Sequence, residues 1–266
     1  MNQINTTTTR LSECLKQLHL PSFRDSYQEI ADTAQQESFS YQQYLLELSE
    51  RECDGRYQRR VDRLLRQSCL PLEKTIETFN MKRLSPNLLH KTQRLLEGSF
   101  VDNKENVLAF GNPGSGKTHL LCAIGHALIQ QNRQVYFSPC SLLVQKLLAA
   151  KRDIKLDRLL KKLDKYEAII IDDIGYVQQS RQEMEVLFTL LAQRYERGSV
   201  MLTSNLPFSK WETIFKDPMT TAAAIDRLVH HSVILELNLS SYRLEQAKNR
   251  TYKKINRKGK KQKKKT

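Results

Sequence analysis

The chain has 266 residues, 39% of them hydrophobic, and a formal net charge of +14. A chain of this length buries a sizeable core, in one large domain or in a medium domain with a small companion. Its longest apolar runs fall far short of the roughly 20 residues that a membrane-spanning helix needs, and residues 1–10 lack the apolar centre of a secretory signal. Composition therefore argues against a membrane protein, and we expect a cytoplasmic location.

The amino-terminal 70 residues are rich in helix formers, and helices are predicted at 10–18, 23–36 and 40–67. In the last of these, arginines recur every three or four residues, which places them on one side of a helix. They are Arg56, Arg59, Arg60, Arg63 and Arg66. The stripe is either a solvated face paired with Glu52 and Asp62 or a contact with the DNA backbone. We take the five arginines as candidate DNA contacts.

A connector is predicted at residues 71–105, which hold two prolines and a glycine. Beyond it, short apolar or β-branched runs alternate with helical patterns. The runs lie at 106–110, 134–138, 168–172, 199–203 and 232–237. Each suits a strand that is buried on both faces of a parallel sheet. The helical patterns lie at 117–131, 140–150, 155–164, 181–197 and 208–230. This alternation predicts an α/β fold, in which ligands bind at the carboxyl ends of the strands.

The stretch GNPGSGKTHL at residues 111–120 follows the first predicted strand and opens a helix. It satisfies the phosphate-loop pattern GxxxxGK[ST], in which backbone amides converge on the phosphates of a nucleotide. The lysine of the pattern reaches the β- and γ-phosphates, and the hydroxyl is a ligand of Mg²⁺. The sequence thus predicts a site for ATP and Mg²⁺. The candidate contacts are Gly111, Asn112, Pro113, Gly114, Ser115, Gly116, Lys117, Thr118 and His119.

Polar residues also follow other predicted strands. IIIDD at 169–173 brings Asp172 to the end of its strand as a Mg²⁺ partner, direct or through water, and Asp173 can polarise the attacking water as general base. Asn205 follows the next strand and can orient that water or sense the γ-phosphate. Arg227 and Arg243 flank the last strand, and either is a candidate cation for the phosphates of a neighbouring subunit or a surface ion pair.

Positive charge is concentrated at the carboxyl end. Residues 249–266 hold ten lysines and arginines and no acid. Such a segment has too little apolar content to offset the entropy of ordering, and we predict that it is disordered. It is either a solubilising extension or a nucleic-acid-binding arm. We favour the arm, with Lys253 and Lys254 as candidate contacts.

Cysteine and histidine patterns predict no resident metal. The five cysteines contain no CxxC pair, so neither a disulfide framework nor a zinc site is indicated, and we expect the thiols to lie in or near the core. The adjacent His230 and His231 have no acidic or cysteine partner at the spacing of metal ligands.

Taken in order, these motifs resemble those of the AAA+ ATPase superfamily, in the branch that holds the DnaA and DnaC replication proteins and the IstB-type transposition helper proteins. The resemblance to the IstB type covers roughly residues 10–245, and RYERGS, TSNLPFSKW and DRLVHH are its most specific parts. It rests on GNPGSGKTHL, IIIDDIGYV, LLAQRYERGSVMLTSNLPFSKWETIF, AAAIDRLVHHSVILEL and SYR, and before them on LKQLHLPSF, SYQQYLLELSERE and KTIETFNM.

The resemblance implies an AAA+ P-loop core with a five-stranded parallel sheet flanked by helices, preceded by a small all-helical domain. The expected boundaries are 1–70 for a DNA- or partner-binding domain, 71–105 for the connector, 106–245 for the core and 246–266 for the basic tail. No carboxyl-terminal lid domain is expected, because only residues 238–266 follow the last predicted strand.

Roles for individual residues follow from the same resemblance. Residues 111–118 would form the Walker A loop, Asp172 and Asp173 the Walker B acids, and Asn205 the sensor 1 residue. Arg227 would be the arginine finger for the ATP of an adjacent subunit, and Arg243 a candidate for sensor 2. Asp173 stands where many AAA+ proteins carry glutamate, and its shorter reach to the water implies slow turnover.

The implied function is that of an ATP-dependent DNA-binding helper of insertion-sequence transposition. Such a protein oligomerises with ATP on duplex DNA, directs or stimulates a partner transposase, and is released by hydrolysis. The alternative is a DnaC-like loader of a replicative helicase, which would share the ATPase core and dock its helicase through the first 70 residues. A metabolic P-loop kinase is a third interpretation, but no lid arginines or small-substrate signature support it.

Overall fold

The computed structural model describes residues 2–174, 180–212 and 218–242. The chain divides into two compact units, Met1–Arg63 and Leu64–Thr266. Arg243, Lys253 and Lys254 lie outside the described residues, and so do the basic tail and most of the segment on which the expected absence of a lid depends.

Three helices build the first unit, and the third continues past its boundary. They are α1 (Asn2–Gln17), α2 (Pro21–Gln36) and α3 (Tyr41–Ser68). Leu15, Ile30 and Leu48 are buried, one from each helix. The helix α1 begins well before the predicted residue 10 and includes four consecutive threonines at 6–9, which lower helix propensity without forbidding a helix.

A five-stranded parallel sheet forms the centre of the second unit, in the order β2-β3-β4-β1-β5. Every predicted strand is present. The strands are β1 (Asn106–Gly111), β2 (Val135–Pro139), β3 (Ala168–Ile174), β4 (Ser199–Ser204) and β5 (Ser232–Leu237). Because all five run in the same direction, their carboxyl ends lie along one edge of the sheet.

Helices flank this sheet, as predicted. They are α4 (Pro86–Leu96), α5 (Ser99–Asp102), α6 (Lys117–Gln130), α7 (Cys140–Arg152), α8 (Leu156–Leu163), α9 (Arg181–Arg194) and α10 (Pro218–Val229). Short 3-10 turns occupy Met81–Arg83 and Phe208–Lys210. The segment predicted as helix at 208–230 thus holds a 3-10 turn and α10 in its described parts, and the predicted connector holds α4 and α5.

The strand β3 buries the apolar residues of both its faces, whereas Glu236 of the edge strand β5 is exposed, so the predicted burial on both faces is wrong for β5. Ile169 and Ile171 belong to the hydrophobic cluster that contains residues of α7 and α9. Ile170 points the other way, toward α6, where a Cβ built on Gly125 would lie 2.9 Å from Ile170 Cδ1. A larger residue at Gly125 would push α6 away from β3, so this glycine permits the close approach of helix and sheet.

No helix in the described ranges is long and apolar enough to span a bilayer. No disulfide joins the five cysteines, all of which lie in the described ranges. Cys122 and Cys140 are buried, as expected, but the expectation is wrong for Cys14, Cys53 and Cys69, which are exposed. Burial of a single thiol contributes too little to dictate which face of a helix turns inward.

Candidate functional site

The phosphate-loop segment leaves β1 at Gly111 and enters α6 after Gly116. Both glycines have positive φ, 147° and 102°, a region that other residues rarely adopt. A Cβ on Gly111 would also overlap the backbone carbonyl of Leu237 in β5. The pattern therefore requires glycine at these points for both conformation and space, and the loop ends at a helix amino terminus, where anions bind.

Lys117 is held inside this loop. Its Nζ donates to the carbonyl oxygens of Gly111 at 2.8 Å and of Asn112 at 3.0 Å, and the residue is only 6% exposed. Within the loop, the buried Ser115 Oγ has no hydrogen-bond partner among the described residues. The loop thus combines a buried cation with an unsatisfied hydroxyl, a set that suits phosphate oxygens.

Two hydroxyls converge on Asp172 at the end of β3. Thr118 Oγ1 and Thr203 Oγ1 each donate to Asp172 Oδ1 at 2.7 Å. Thr203, which is fully buried in β4, also accepts a hydrogen bond from the backbone N–H of Asp173 at 2.8 Å. Thr203 was not predicted as a site residue, and this one side chain contacts both candidate Walker B acids.

Asp172 and Asp173 lie in a β-bulge. Ile171 pairs with Leu202 and Ile174 with Ser204, so two residues of β3 stand opposite Thr203 alone. Asp173 adopts a left-handed backbone with φ of 59°, which is uncommon for a residue other than glycine. Bulges redirect side chains near active sites, and here the two residues of the bulge are the two candidate acids.

One cavity of about 230 Å³ joins the predicted phosphate and catalytic residues. Lys117, Thr118, Asp173 and Asn205 all line it. The Oδ1 atom of Asn205 is buried and has no partner among the described residues, so it is available to a molecule in the cavity. Four residues from three separate segments thus meet where the sequence places a nucleotide.

The predicted connector contributes residues that the sequence analysis missed. Thr75 O and Thr78 Oγ1 lie 3.0 and 3.1 Å from His119 Nε2, and the Phe79 ring meets the His119 ring edge-on at 5.2 Å between centroids. Lys74 lines the cavity beside the loop. The signal was present in KTIETFNM, which belongs to the family-like stretches but contains no catalytic pattern of its own.

The segment after β5 covers the loop from another direction. The backbone N–H of Tyr242 donates to Gly114 O at 3.0 Å, and the Tyr242 side chain lines the cavity. Arg83 donates to Ser240 O at 2.7 Å, and its guanidinium lies 5.2 Å from the centroid of the Tyr242 ring. In this segment only Arg243 was predicted as a site residue, and it lies outside the described residues.

Arg227 lies at the opposite edge of the sheet. Asn106, the first residue of β1, donates through Nδ2 to the backbone oxygens of Arg227 at 3.4 Å and of Leu228 at 3.1 Å. The phosphate loop begins at the other end of that strand, roughly 17 Å away at about 3.3 Å per residue. The guanidinium stacks 4.7 Å from the centroid of the Phe188 ring, and its buried Nη1 has no hydrogen-bond partner in the described part of the chain. The fold does not bring Arg227 to its own chain's cavity.

Near Arg227, the fold brings an acid to the histidine pair. Ligand atoms of Glu196, His230 and His231 lie within 4.8 Å of one another, although sequence spacing showed no acidic partner. All three side chains are exposed, and the Tyr195 hydroxyl lies 3.0 Å from His230 Nδ1. We assign no metal to this group.

The arginine stripe divides into two parts. Arg56 and Arg59 form ion pairs with Glu52 at 2.8 and 3.2 Å, whereas Asp62, the other expected partner, accepts from Gln58. The remaining members are also exposed: Arg60, Arg63 and Arg66. The stripe is therefore a solvent-accessible face that is partly tied to one glutamate.

The family model for IstB-like ATP-binding proteins matches residues 13–250. The chain belongs to this family. An insertion sequence ATP-binding protein of Sinorhizobium fredii is 40% identical to this IstB-like protein over 239 residues, which cover 90% of the chain and 80% of the relative. The insertion sequence IS21 ATP-binding protein of Pseudomonas aeruginosa is 37% identical over 233 residues, 87% of the chain and 86% of the relative.

Among solved structures, the DnaC helicase loader is similar with a TM-score of 0.54 and 17% identity, over 62% of this chain and 97% of the loader. At that identity the likeness shows the fold alone. The IstB-like chain thus has the predicted AAA+ core, and it is an ATP-binding ATPase. The names of its relatives support an ATPase associated with insertion sequences.

Proposed function

We propose that this IstB-like ATPase is a helper of insertion-sequence transposition that assembles with ATP on duplex DNA, directs or stimulates a partner transposase, and leaves the DNA on hydrolysis. One observation carries the proposal: the phosphate loop and Arg227 lie at opposite ends of β1. A cation at the far edge of one chain can reach the phosphates of a neighbouring copy in a head-to-tail assembly. ATP would then join the subunits.

The residues at the loop fit a nucleotide with Mg²⁺. Thr118 and Asp172 offer two hard oxygen ligands in direct contact, and Mg²⁺ is typically held by one or two such protein groups together with phosphates and water. When bound, the ion neutralises charge on the phosphates. Lys117 would exchange its two carbonyl partners for β- and γ-phosphate oxygens, which are stronger acceptors for an ammonium group.

Hydrolysis would depend on Asp173 and Asn205, which line the same cavity. We assign to Asp173 the role of general base for the attacking water, and to Asn205, through its available Oδ1, the orientation of that water. Thr203 would act as a positioning residue, because it orients the Asp172 carboxylate and anchors the backbone of Asp173. On the other side of the loop, Phe79 and Tyr242 offer ring surfaces for the adenine ring of the nucleotide.

Gel shifts test the assembly step. We expect the full chain to retain duplex DNA with ATP and to release it with ADP or without nucleotide. Lys117→Ala, which removes the cation of the loop, should behave with ATP as the wild type does without nucleotide. Equal retention of DNA in all three nucleotide conditions would contradict ATP-gated assembly.

Mixing two inactive variants tests the composite site. Asp173→Asn lacks the base but keeps Arg227, and Arg227→Ala lacks the cation but keeps the base. In a one-to-one mixture about a quarter of head-to-tail interfaces would pair an intact cavity with an intact arginine, so ATPase activity should return. Arg152→Ala, an exposed arginine at the end of α7, is the matched control and should be active alone. No recovery in the mixture would mean that Arg227 does not act across subunits.

The partner is tested separately. A transposase from the same element should be captured by the full chain with ATP and DNA present, whereas a replicative helicase should not. Capture of the helicase alone would favour the DnaC-like loader. The gene next to this one is an independent indicator, since an adjacent transposase gene is expected.

A further inference from the structure

A basic cleft lies within the first unit, between the turn that joins α1 to α2 and the middle of α3. It measures about 530 Å³. Four cationic side chains from all three helices line it, together with His19: Lys16, Arg24, Arg56 and Arg59. Only two of the four belong to the arginine stripe, because Lys16 and Arg24 join the cleft through the packing of the helices and not through spacing in the sequence.

Glu52 lies beneath this cleft, 4% exposed. Its Oε1 accepts from Arg56 Nε at 2.8 Å and from Arg59 Nη2 at 3.2 Å, while Oε2 accepts from the backbone N–H of Ser22 at 2.8 Å. Burial alone would raise the pKa of Glu52, but the hydrogen bonds from Arg56 and Ser22 outweigh it and lower the pKa below the usual glutamate value. The carboxylate is therefore ionised at neutral pH and holds two guanidinium groups.

The helices approach closely at this point. Gly55 lies one turn after Glu52, and a Cβ there would come 2.6 Å from Ser22 Oγ and 3.1 Å from Arg59 Nη1. Arg56 Nη2 also donates to His19 O at 2.9 Å, which ties α3 to the turn after α1. The first turn of α2, the α1–α2 turn and α3 thus form one hydrogen-bonded wall of the cleft.

The cleft keeps a positive charge after these pairings. One buried carboxylate faces two arginines whose side chains remain 56% and 51% exposed. Each guanidinium has five N–H donors, and Glu52 and His19 use only some of them. Lys16 is exposed, and Arg24 pairs with Asp25 in solvent, where ion pairs are weak.

We propose that this cleft binds a phosphate group of the DNA backbone, and that Glu52 is a positioning residue that holds Arg56 and Arg59 in its wall. The proposal rests on the DNA binding proposed above and names the residues that perform it. Phosphate is the chemistry that best matches two pre-oriented guanidinium forks beside a lysine, since arginine recognises phosphate oxygens through paired N–H donors.

The first experiment measures the affinity of the full chain for a short duplex of mixed sequence, by fluorescence anisotropy with ATP over a series of KCl concentrations. Lys16→Gln and Arg24→Gln each remove one cation from the cleft. Each should weaken binding and lower the slope of log K against log salt, by about 1 where the phosphate contact is lost completely, because binding then releases fewer counterions. Arg51→Gln is the matched control: Arg51 is also on α3 but pairs with Glu29 and Glu47 and does not line the cleft.

The second experiment separates positioning from simple charge. Glu52→Gln removes a negative charge beside the proposed phosphate, so electrostatics alone predicts tighter DNA binding. If Glu52 positions Arg56 and Arg59, its loss predicts the opposite, a several-fold weaker affinity. This holds for a variant whose helical circular dichroism matches the wild type. Tighter binding by Glu52→Gln would overturn the positioning role.

The outcomes separate the two proposals. A wild-type chain that fails to bind duplex DNA under any nucleotide condition contradicts the proposed function itself. A wild type that binds, with Lys16→Gln and Arg24→Gln matching Arg51→Gln in affinity and salt slope, overturns the cleft alone. A cleft that accepts an acidic protein segment would give that second result.

Discussion

Thr203→Val tests how the two proposed catalytic acids, Asp172 and Asp173, are held. Valine matches the shape of threonine but replaces the hydroxyl with a methyl group. The substitution removes the 2.7 Å hydrogen bond to Asp172 Oδ1 and deprives the N–H of Asp173 of its acceptor at 2.8 Å. Thr203 does not line the cavity, so the phosphate loop and its contacts with ATP should remain intact.

The size of the effect follows from the hydrogen bond to the charged Asp172 carboxylate. A hydrogen bond to a charged group contributes about 1.5–3 kcal/mol. If positioning of the carboxylate is lost in the transition state, this corresponds to a decrease of roughly 10- to 150-fold in kcat, at about 1.4 kcal/mol per factor of ten. The KM for ATP should change little, because the lost interaction does not bind the nucleotide.

Steady-state ATPase assays with Thr203→Val and Thr203→Ser measure this effect, together with the thermal unfolding of each variant. The serine variant keeps the hydroxyl, so its kcat should stay within about threefold of the wild-type kcat, whereas the valine variant should lose activity. A valine variant with wild-type kcat would refute the positioning role. Equal losses in both variants would refute it as well, because the serine variant keeps the hydroxyl and a shared loss would then follow from general destabilisation.

Other predictions concern the loop, the tail and the core. Lys117→Ala should abolish binding of a fluorescent ATP analogue, whereas Asp173→Asn should bind it and lose hydrolysis; normal turnover in Asp173→Asn would exclude Asp173 as the base. Truncation after residue 248 should weaken DNA binding and flatten its salt dependence, and an unchanged salt slope would indicate a solubilising extension. Arg194, 2% exposed, donates to four backbone carbonyl oxygens around the ends of α8 and α9 and the starts of β3 and β4. Arg194→Met should lower the free energy of unfolding by about 3 kcal/mol and Tm by roughly 6–12 °C, and an unchanged melting curve would contradict this.

Much of the fold could be predicted because its signals are local. The strands are short apolar or β-branched runs, which in β3 and β4 are buried on both faces as predicted, and each glycine of the phosphate loop meets a conformational requirement inside the loop itself. The sequence also predicts the edge of the sheet at which Lys117, Asp173 and Asn205 meet, because parallel strands place their carboxyl ends together. Local patterns predict an element, and the parallel arrangement then predicts which ends are neighbours.

Contacts between distant segments could not be predicted in this way. Phe79 and Tyr242 carry no catalytic pattern, and only folding brings the predicted connector and the segment after β5 to the loop. Thr203 looked like one more buried strand residue until the bulge in β3 set it opposite two aspartates. Such contacts depend on register and packing, which spacing along the chain does not encode.

The sequence by itself determined the phosphate loop, the two aspartates near the end of β3, the order of the elements and the family. These depend on residue types at short range, where backbone sterics and the burial of apolar runs decide the outcome. Only the tertiary structure decided that Arg227 lies an entire strand away from its own loop, and that Lys16 and Arg24 share a cleft with two arginines held by Glu52. Both facts are distances between segments far apart in the chain, and only the packing of the whole fold sets such distances.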